Sequence, residues 1–581
     1  MLNDPPAPED LPDAPKRPYA AVPPSVPREP AAGGGSSAQP SPRAIVAVAV
    51  VAVLLAVAAL AVWRLGPLSD TPVAIPTTRT TSPGPTTSPT PSPSASSPST
   101  SPTPAPGAAS YPKELAAFYT QSLSWTACAD DPTQQCSNME VPVDYTKPTG
   151  DRFTLALRKA PALDPGQRVG SLVINPGGPG GSGVEYATYA QYVFSKQLRS
   201  VYDIVGFDPR GIGASDAVTC LTDTQMDTLF GDDPTPDTAA ERRTLIDDAD
   251  RITKSCAATG GERARHMGTT EVARDMDVMR VLLGDPKLNY FGVSYGTFLG
   301  ALYADLFPKN VGRFVLDSAI SPNQTDAQEM TYDIQGFESS IDAFISWCVA
   351  RPDCALGSDE AAARGKIVTL LDTVEAKELK TSIPGLEKVG EGWTSFAIFM
   401  CLYSETSWPT LNKGLAQAFT GRGDVLLAKA MSVVERSTSG RYADTTYLQA
   451  MIPVRCEDWP RSPETPAVKA AQAKAQADHP LWARMTGELY DNCEAWPDAG
   501  RPLKGSTLAV GAAPILVIGN LRDPATPIGG TKQLAKDLDS GVLVTSDHDG
   551  HGTYLAGNSC VDAIVDRYLM KGAVPQDGKA C

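Results

Sequence analysis

Apolar residues fall along this chain in three patterns, and each predicts a different kind of structure. The first is an unbroken run from Ala44 to Trp63, closed off by Arg43 and Arg64. As a helix it would be roughly 30 Å long, the thickness of a bilayer hydrocarbon core, so a transmembrane helix is expected over 44–65. The second pattern is the lack of any period on either side of that run. Residues 1–43 mix Pro, Ala, Gly and acidic residues, and residues 66–110 are dominated by Pro, Thr and Ser. Neither stretch can bury enough apolar surface to offset the entropy of ordering its backbone. The first reads as a disordered tail and the second as an extended stalk, with a reach on the order of 100 Å.

The third pattern begins at Tyr111. Short apolar runs that fit buried strands (Ser171 to Asn175, Tyr202 to Phe207, Leu288 to Val293, Arg313 to Asp317, Ile515 to Ile518 and Val542 to Thr545) alternate with amphipathic helical stretches. That alternation predicts an α/β domain with a mostly parallel sheet covered on both faces. It occupies 111–320, fades over 321–507 into helix-rich sequence with Trp, Cys and Pro, and returns over 508–581. The middle segment resembles a cap inserted into the core.

Composition adds a compartment and removes one class of partner. The net charge of −16 opposes binding to nucleic acid, whose phosphates would be repelled. All 11 cysteines lie at or beyond Cys128, with no Cys-X-X-Cys pair to suggest a zinc or redox centre. They suit disulfides in an oxidising compartment. Proximity in sequence suggests Cys128 with Cys136, Cys220 with Cys256, Cys348 with Cys354, Cys456 with Cys493 and Cys560 with Cys581, leaving Cys401 free. Lys16, Arg17, Arg28 and Arg43 precede the apolar run and Arg64 and Arg79 follow it, a bias toward a cytoplasmic N-terminus. The expectation is a single-pass membrane protein with its globular part outside. The alternative is cleavage near Ala59 and Ala61, which would release a secreted domain.

The chemistry is carried by a few short motifs. Leu288 to Val293 runs into Gly292-Val293-Ser294-Tyr295-Gly296, a Gly-X-Ser-X-Gly turn whose small residues permit the sharp strand-to-helix reversal that exposes a nucleophilic serine in the α/β-hydrolase fold. A helix is expected over Thr297 to Asp305. Serine needs a base to take its proton and a carboxylate to orient that base, and in this fold the order is Ser, then acid, then His. The chain has 4 histidines. His266 precedes the serine and His479 falls in the cap segment, which leaves His548 and His551. His551, between Gly550 and Gly552, is favoured for its tight turn. Asp523, in Asp-Pro-Ala-Thr-Pro after the strand Ile515 to Ile518, stands where the fold supplies its acid, with Asp547 and Asp549 as rivals.

The strand Ser171 to Asn175 leads into Pro176-Gly177-Gly178-Pro179-Gly180-Gly181-Ser182-Gly183. Gly178, Gly180 and Gly183, with Asp203 further on, fit a dinucleotide fingerprint. A cystine-rich domain with a serine elbow suits an oxyanion loop better, in which the amides of Gly178 and Tyr295 would face a tetrahedral oxyanion. No cofactor or metal is expected. Asp208-Pro209-Arg210-Gly211-Ile212-Gly213-Ala214-Ser215 reads as a structural turn, with Arg210 bound to backbone or carboxylate.

Taken in order, Gly-Gly-Pro-Gly-Gly-Ser-Gly, Asp-Pro-Arg-Gly-Ile-Gly-Ala-Ser, Gly-Val-Ser-Tyr-Gly-Thr, Asp-Pro-Ala-Thr-Pro and Gly-His-Gly resemble the secreted bacterial tripeptidyl aminopeptidases. These are relatives of the proline iminopeptidases, with a C-terminal region called TAP-like. The resemblance spans about Tyr119 to Cys581 and implies that Ser294, Asp523 and His551 hold the positions of nucleophile, acid and base. It also implies an exopeptidase acting on peptides with a free N-terminus beneath a cap, and hence a buried anion for the substrate ammonium. Glu457 and Asp458 beside Cys456, and Glu494 beside Cys493, are candidates because a disulfide could fix them, though each also reads as a solvated cap carboxylate. Several relatives are free secreted enzymes, whereas a membrane segment is expected here. A carboxylesterase or lipase with the same triad, and a catalytically silent surface protein, are the competing expectations.

Overall fold

Strands buried on both faces read as near-continuous apolar runs, and the observed sheet shows why. Val173, Val205, Tyr290, Phe314, Leu316, Ile515 and Val517 pack into one core layer, while Leu172, Ile174, Ile204, Phe291, Val315, Leu516 and Ile518 pack into another. Successive residues point to opposite faces, so each unbroken apolar run fills two cores at once. The computed structural model describes residues 111–442, 446–459, 466–486, 493–497 and 507–581. The expected tail (1–43), transmembrane helix (44–65) and stalk (66–110) lie outside the described residues. Among the described residues no helix is long and apolar enough to cross a membrane.

The main sheet is built from β1 (Thr126–Ala127), β2 (Gln135–Pro142), β3 (Arg152–Ala160), β4 (Gly170–Asn175), β5 (Tyr202–Phe207), β6 (Leu288–Val293), β7 (Val311–Asp317), β8 (Ile515–Arg522), β9 (Gly541–Asp549) and β10 (Lys579–Ala580). In space they run β1-β2-β3-β5-β4-β6-β7-β8-β9-β10. Pairing is parallel from β5 to β10 and antiparallel from β1 through β3 to β5. The chain leaves β4 toward β5 on one side and returns to β6 on the other. That reversal opens a crevice beyond the carboxyl ends of β4 and β6, where α/β sheets bind ligands.

The antiparallel β2 and β3 were not among the strands expected from apolar runs. β2 alternates polar and apolar residues and keeps part of its length exposed, so it carries no continuous apolar signal. β8 and β9 extend beyond the expected ends to Arg522 and Asp549, because their pairing continues past a register shift between Asn520 and Arg522.

The helices that position the site are α1 (Gly183–Thr188), α2 (Lys196–Val201), α3 (Thr269–Leu282), α4 (Tyr295–Leu306), α5 (Asp326–Val349), α6 (Glu391–Leu402), α7 (Thr446–Gln449), α8 (Met451–Asp458), α9 (Ile528–Asp537) and α10 (Ser559–Lys571). α3, α4 and α9 pack with the first strand layer, and α10 with the second. Between β7 and β8 the described chain is helical apart from a short hairpin, Leu379–Lys380 with Lys388–Val389. α5 opens that segment on a reciprocal cap, Thr325 with Gln328, which satisfies two helix-end amides. Disulfides join Cys128 to Cys136, Cys220 to Cys256, Cys348 to Cys354, Cys456 to Cys493 and Cys560 to Cys581, and Cys401 is buried and free.

Candidate active site

Ser294 sits between β6 and α4 with φ 59° and ψ −128°, a conformation that a non-glycine residue holds only when its surroundings enforce it. The flanking glycines are part of that enforcement. A Cβ on Gly292 would collide with the Gly296 carbonyl, and one on Gly296 would lie 2.7 Å from the Asn175 carbonyl oxygen. The Ser294 amide donates to the Asp317 carbonyl at 3.0 Å, tying the turn to the end of β7.

The loop after β4 lies directly on this turn. A Cβ on Gly177 would be 2.9 Å from Ser294 Cβ and 3.0 Å from Tyr295 N. Gly177 N donates to Asn175 Oδ1 at 2.9 Å and Gly181 N to the Gly177 carbonyl at 3.0 Å. The amides of Gly178 and Tyr295 donate to no described residue, and that of Tyr295 is one of the orphan donors at a helix start. The alternative dinucleotide reading finds its anion position taken. Asp208 accepts from Val184 N at 3.0 Å and from the Ser182 hydroxyl at 2.6 Å at the head of α1. Asp203 is held by Ala162 N and Arg168 Nε.

His551 stands in the loop after β9, and several donors and acceptors shape that loop. Asn520 Nδ2 donates to the carbonyls of Gly550 and Gly552, both at 2.9 Å, on either side of the histidine. Gly552 N donates to Ser318 Oγ, and Thr553 N and Tyr554 N donate to the Asp317 carboxylate, all at 2.9 Å. Asp317 thus grips the serine turn with its backbone and the histidine loop with its side chain. His551 Nδ1 lies 3.0 and 3.1 Å from the two oxygens of Asp523, which is fully buried. Asp523 also accepts from the amides of Ala525 and Thr526 at 2.9 Å and from the Thr526 hydroxyl at 3.0 Å. No hydrogen bond joins Ser294 Oγ to His551 Nε2 among the described residues; such contacts commonly tighten around bound substrate. The rival acids are engaged elsewhere, Asp547 and Asp549 both pairing with Arg522. His548 is still within β9. Arg210 is fully buried, bidentate on Asp275, and donates to the carbonyls of Pro142, Val143 and His266.

Residues 170–365 match the family model described as alpha/beta hydrolase fold, and residues 479–581 the one described as TAP-like protein. Serine protease Hip1 of Mycobacterium tuberculosis is 34% identical over 79% of this chain and 91% of its own. Tripeptidyl aminopeptidase of Streptomyces coelicolor is 30% identical over 79% and 86%, and Carboxylesterase B of Mycobacterium tuberculosis is 33% identical over 79% and 89%. The chain belongs to the TAP-like α/β-hydrolase family. It is a serine hydrolase.

In this TAP-like hydrolase the segment between β7 and β8 supplies contacts that no motif announced. His551 N donates to the Tyr403 carbonyl at 2.9 Å, and the Tyr403 ring meets the imidazole edge to face at 5.1 Å. α7 lies against the glycine loop: a Cβ on Gly178 would be 3.2 Å from the Tyr447 ring, and one on Gly180 would collide with the Tyr447 carbonyl. Burial disfavours a charged imidazole at His551. The carboxylates of Asp523 and Asp317 outweigh it, so its pKa is raised above 6.5.

Two of the three expected amine-binding acids of this hydrolase are met by protein donors. Asp458 accepts from Thr269 N at 2.8 Å and from the Thr269 hydroxyl, which also contacts the Tyr295 hydroxyl. Burial pushes its carboxyl up to about 7. Glu457 accepts from Trp496 Nε1 at 2.8 Å, and the side chain of Glu494 lies outside the described residues. A carboxylate that sequence reasoning missed is Asp333 on α5. One helical turn on, Gly336 presses so closely on the triad acid that a Cβ there would be 2.6 Å from the Asp523 carbonyl oxygen. The ring of Phe337 leads through Phe399 and Tyr403 to His551. Asp333 takes no hydrogen bond from a described residue. Burial, and then Glu329, push its carboxyl up to about 7 against the opposing effect of Arg455. Nothing in its sequence neighbourhood marks it.

Proposed function

We propose that this chain is a serine exopeptidase that releases short peptides, tripeptides foremost, from free N-termini. The observation that carries this reading is the pairing of His551 with Asp523 on a loop anchored, like the serine turn, to Asp317. Ser294 Oγ attacks the scissile carbonyl as its proton passes to His551 Nε2, and Asp523 holds the imidazole and steadies its charge. The oxyanion forms under the amides of Gly178 and Tyr295, each such donor contributing about 3 kcal/mol to the transition state. His551 then protonates the leaving amine and activates the water that hydrolyses the acyl-enzyme. The relatives named serine protease and tripeptidyl aminopeptidase support peptides as substrates. Exopeptidase action calls for an anion to meet the substrate ammonium. Glu457, Asp458 and Glu494 remain candidates, and Asp333, with no donor among the described residues, suits that role best.

The five disulfides suit an extracytoplasmic site of action. With the apolar run at 44–63, they support a single-pass tether with the N-terminus in the cytoplasm, and secretion after cleavage is the alternative. A second reading, carboxylester hydrolysis by the same residues, is favoured by the similarity to Carboxylesterase B. Fluorogenic tripeptides separate the two. Free-amine tripeptides should be cleaved and their N-acetylated forms spared, with all turnover and fluorophosphonate labelling lost in Ser294→Ala. Turnover of simple esters to the exclusion of every tripeptide would transfer the assignment to the second reading, and a wild-type protein that takes no label would leave a silent binding protein.

A further inference from the structure

Among the described residues, the buried guanidiniums of Arg210, Arg280 and Arg436 have Asp275, Asp277 and Asp227 as counter-charges. Arg199 on α2, which is partly buried, pairs with no acid among the described residues. Its Nε is buried without a hydrogen-bond partner, and the pKa of its guanidinium is lowered by loss of water alone, with no acid to counter it. A partly desolvated guanidinium with one buried N–H unpaired carries a cost, and a ligand anion that accepts from it removes that cost.

Arg199 lines a cavity of about 230 Å³, roughly the space of eight waters. Its floor is the sheet, where Ala160 of β3 and Ile204 of β5 are register partners, and Leu163 adds apolar wall. Gln134 lines the same space and accepts from a second guanidinium that lies behind the lining. Arg158, two residues before Ala160 and therefore on the same face of β3, donates Nε to Gln134 and Nη1 to Asp130. Its Nη2 has no partner among the described residues, although the residue is only 4% exposed. The one acid on the lining, Asp131, already accepts from the amide and hydroxyl of Thr133.

We propose that this cavity is a second, non-catalytic binding site for a small organic carboxylate, its charged end on Arg199 and its apolar part on Leu163 and Ala160. The planar fork of a guanidinium matches a carboxylate in shape and charge, and the apolar walls select an acid with a hydrocarbon body over an inorganic anion. Hydrolysis at Ser294 releases a carboxylic acid from a peptide and from an ester alike, so ligands of this class arise with every turnover. The cavity also borders the helix that carries the glycine loop, since Gln134 Nε2 donates to the carbonyls of Ala187 and Thr188 at 3.4 Å.

Titration calorimetry of the full-length protein with hexanoate tests the site. Saturable one-site binding is expected, at least about tenfold tighter than that of hexan-1-ol, as a charge-assisted contact implies. It should weaken about tenfold in Arg199→Gln and persist after Ser294 is blocked with a fluorophosphonate. The ester or peptide turnover of Arg199→Gln reports that the variant is folded. Absence of saturable binding, equal binding of the alcohol, unchanged binding by folded Arg199→Gln, or loss on blocking Ser294 would each overturn the proposal, the last by placing the ligand in the catalytic crevice.

Discussion

Asp317 shows how much of the chemistry rests on one side chain outside the triad. Its carbonyl takes the Ser294 amide and its carboxylate takes two amides of the histidine loop. Burial raises its own carboxyl to about 6, and its charge adds to that of Asp523 in raising the pKa of His551. General-base catalysis needs the neutral imidazole, so activity grows as pH rises through the His551 pKa, and a raised pKa sets that limb at higher pH. Asp317→Asn removes one of the charges that favour imidazolium. The acid limb of the kcat/KM profile should move to lower pH, with stability reduced by about 1–3 kcal/mol for the disturbed amide contacts. A limb that stays in place while the melting temperature falls would reduce Asp317 to a structural clamp. Ser294 and His551 could be picked out from sequence because glycines must flank them. Asp317 could not, since it closes an ordinary apolar strand and its partners lie more than 200 positions downstream.

At the level of elements, the parallel strands were legible and the antiparallel ones were not, for one physical reason. A strand buried on both faces writes an unbroken apolar run, whereas β2 packs on one side and alternates. The register shift between Asn520 and Arg522 was equally hidden, yet it re-aims the chain just before Asp523. α5 buttresses that acid from outside. A Cβ on Gly336 would be 2.5 Å from Pro527 Cγ and 2.6 Å from the Asp523 carbonyl oxygen, and neither a ring nor a backbone can yield cheaply. Gly→Ala within a helix normally stabilises by about 0.5–1 kcal/mol. Gly336→Ala should reverse that sign, destabilising by about 1–3 kcal/mol and lowering kcat, which thermal melts and steady-state kinetics will show. A more stable and fully active variant would mean that α5 does not bear on the acid.

For the whole molecule, the sheet supplies the reacting groups while the helical segment between β7 and β8 surrounds them. On the proposed function, selectivity is expected to belong to the second of these. Asp333→Asn keeps the shape of α5 but removes a charge that no described donor uses. KM for free-amine tripeptides should rise about tenfold, the value of one charged contact, with ester turnover unchanged. Equal effects on both substrates would assign Asp333 to packing. The composition of that segment pointed to a cap, but its contacts with the triad were beyond reach, because Tyr403 and Tyr447 sit in no motif and matter only through where the fold delivers them. The seat of Tyr447 on Gly180 has a mechanical corollary. On the proposed mechanism, the strip of backbone that would cradle the developing negative charge also bears the weight of the roof, so lifting the roof to admit a bulky substrate would slacken the cradle, and a guest small enough to let the roof settle again would find the machinery tensioned for reaction.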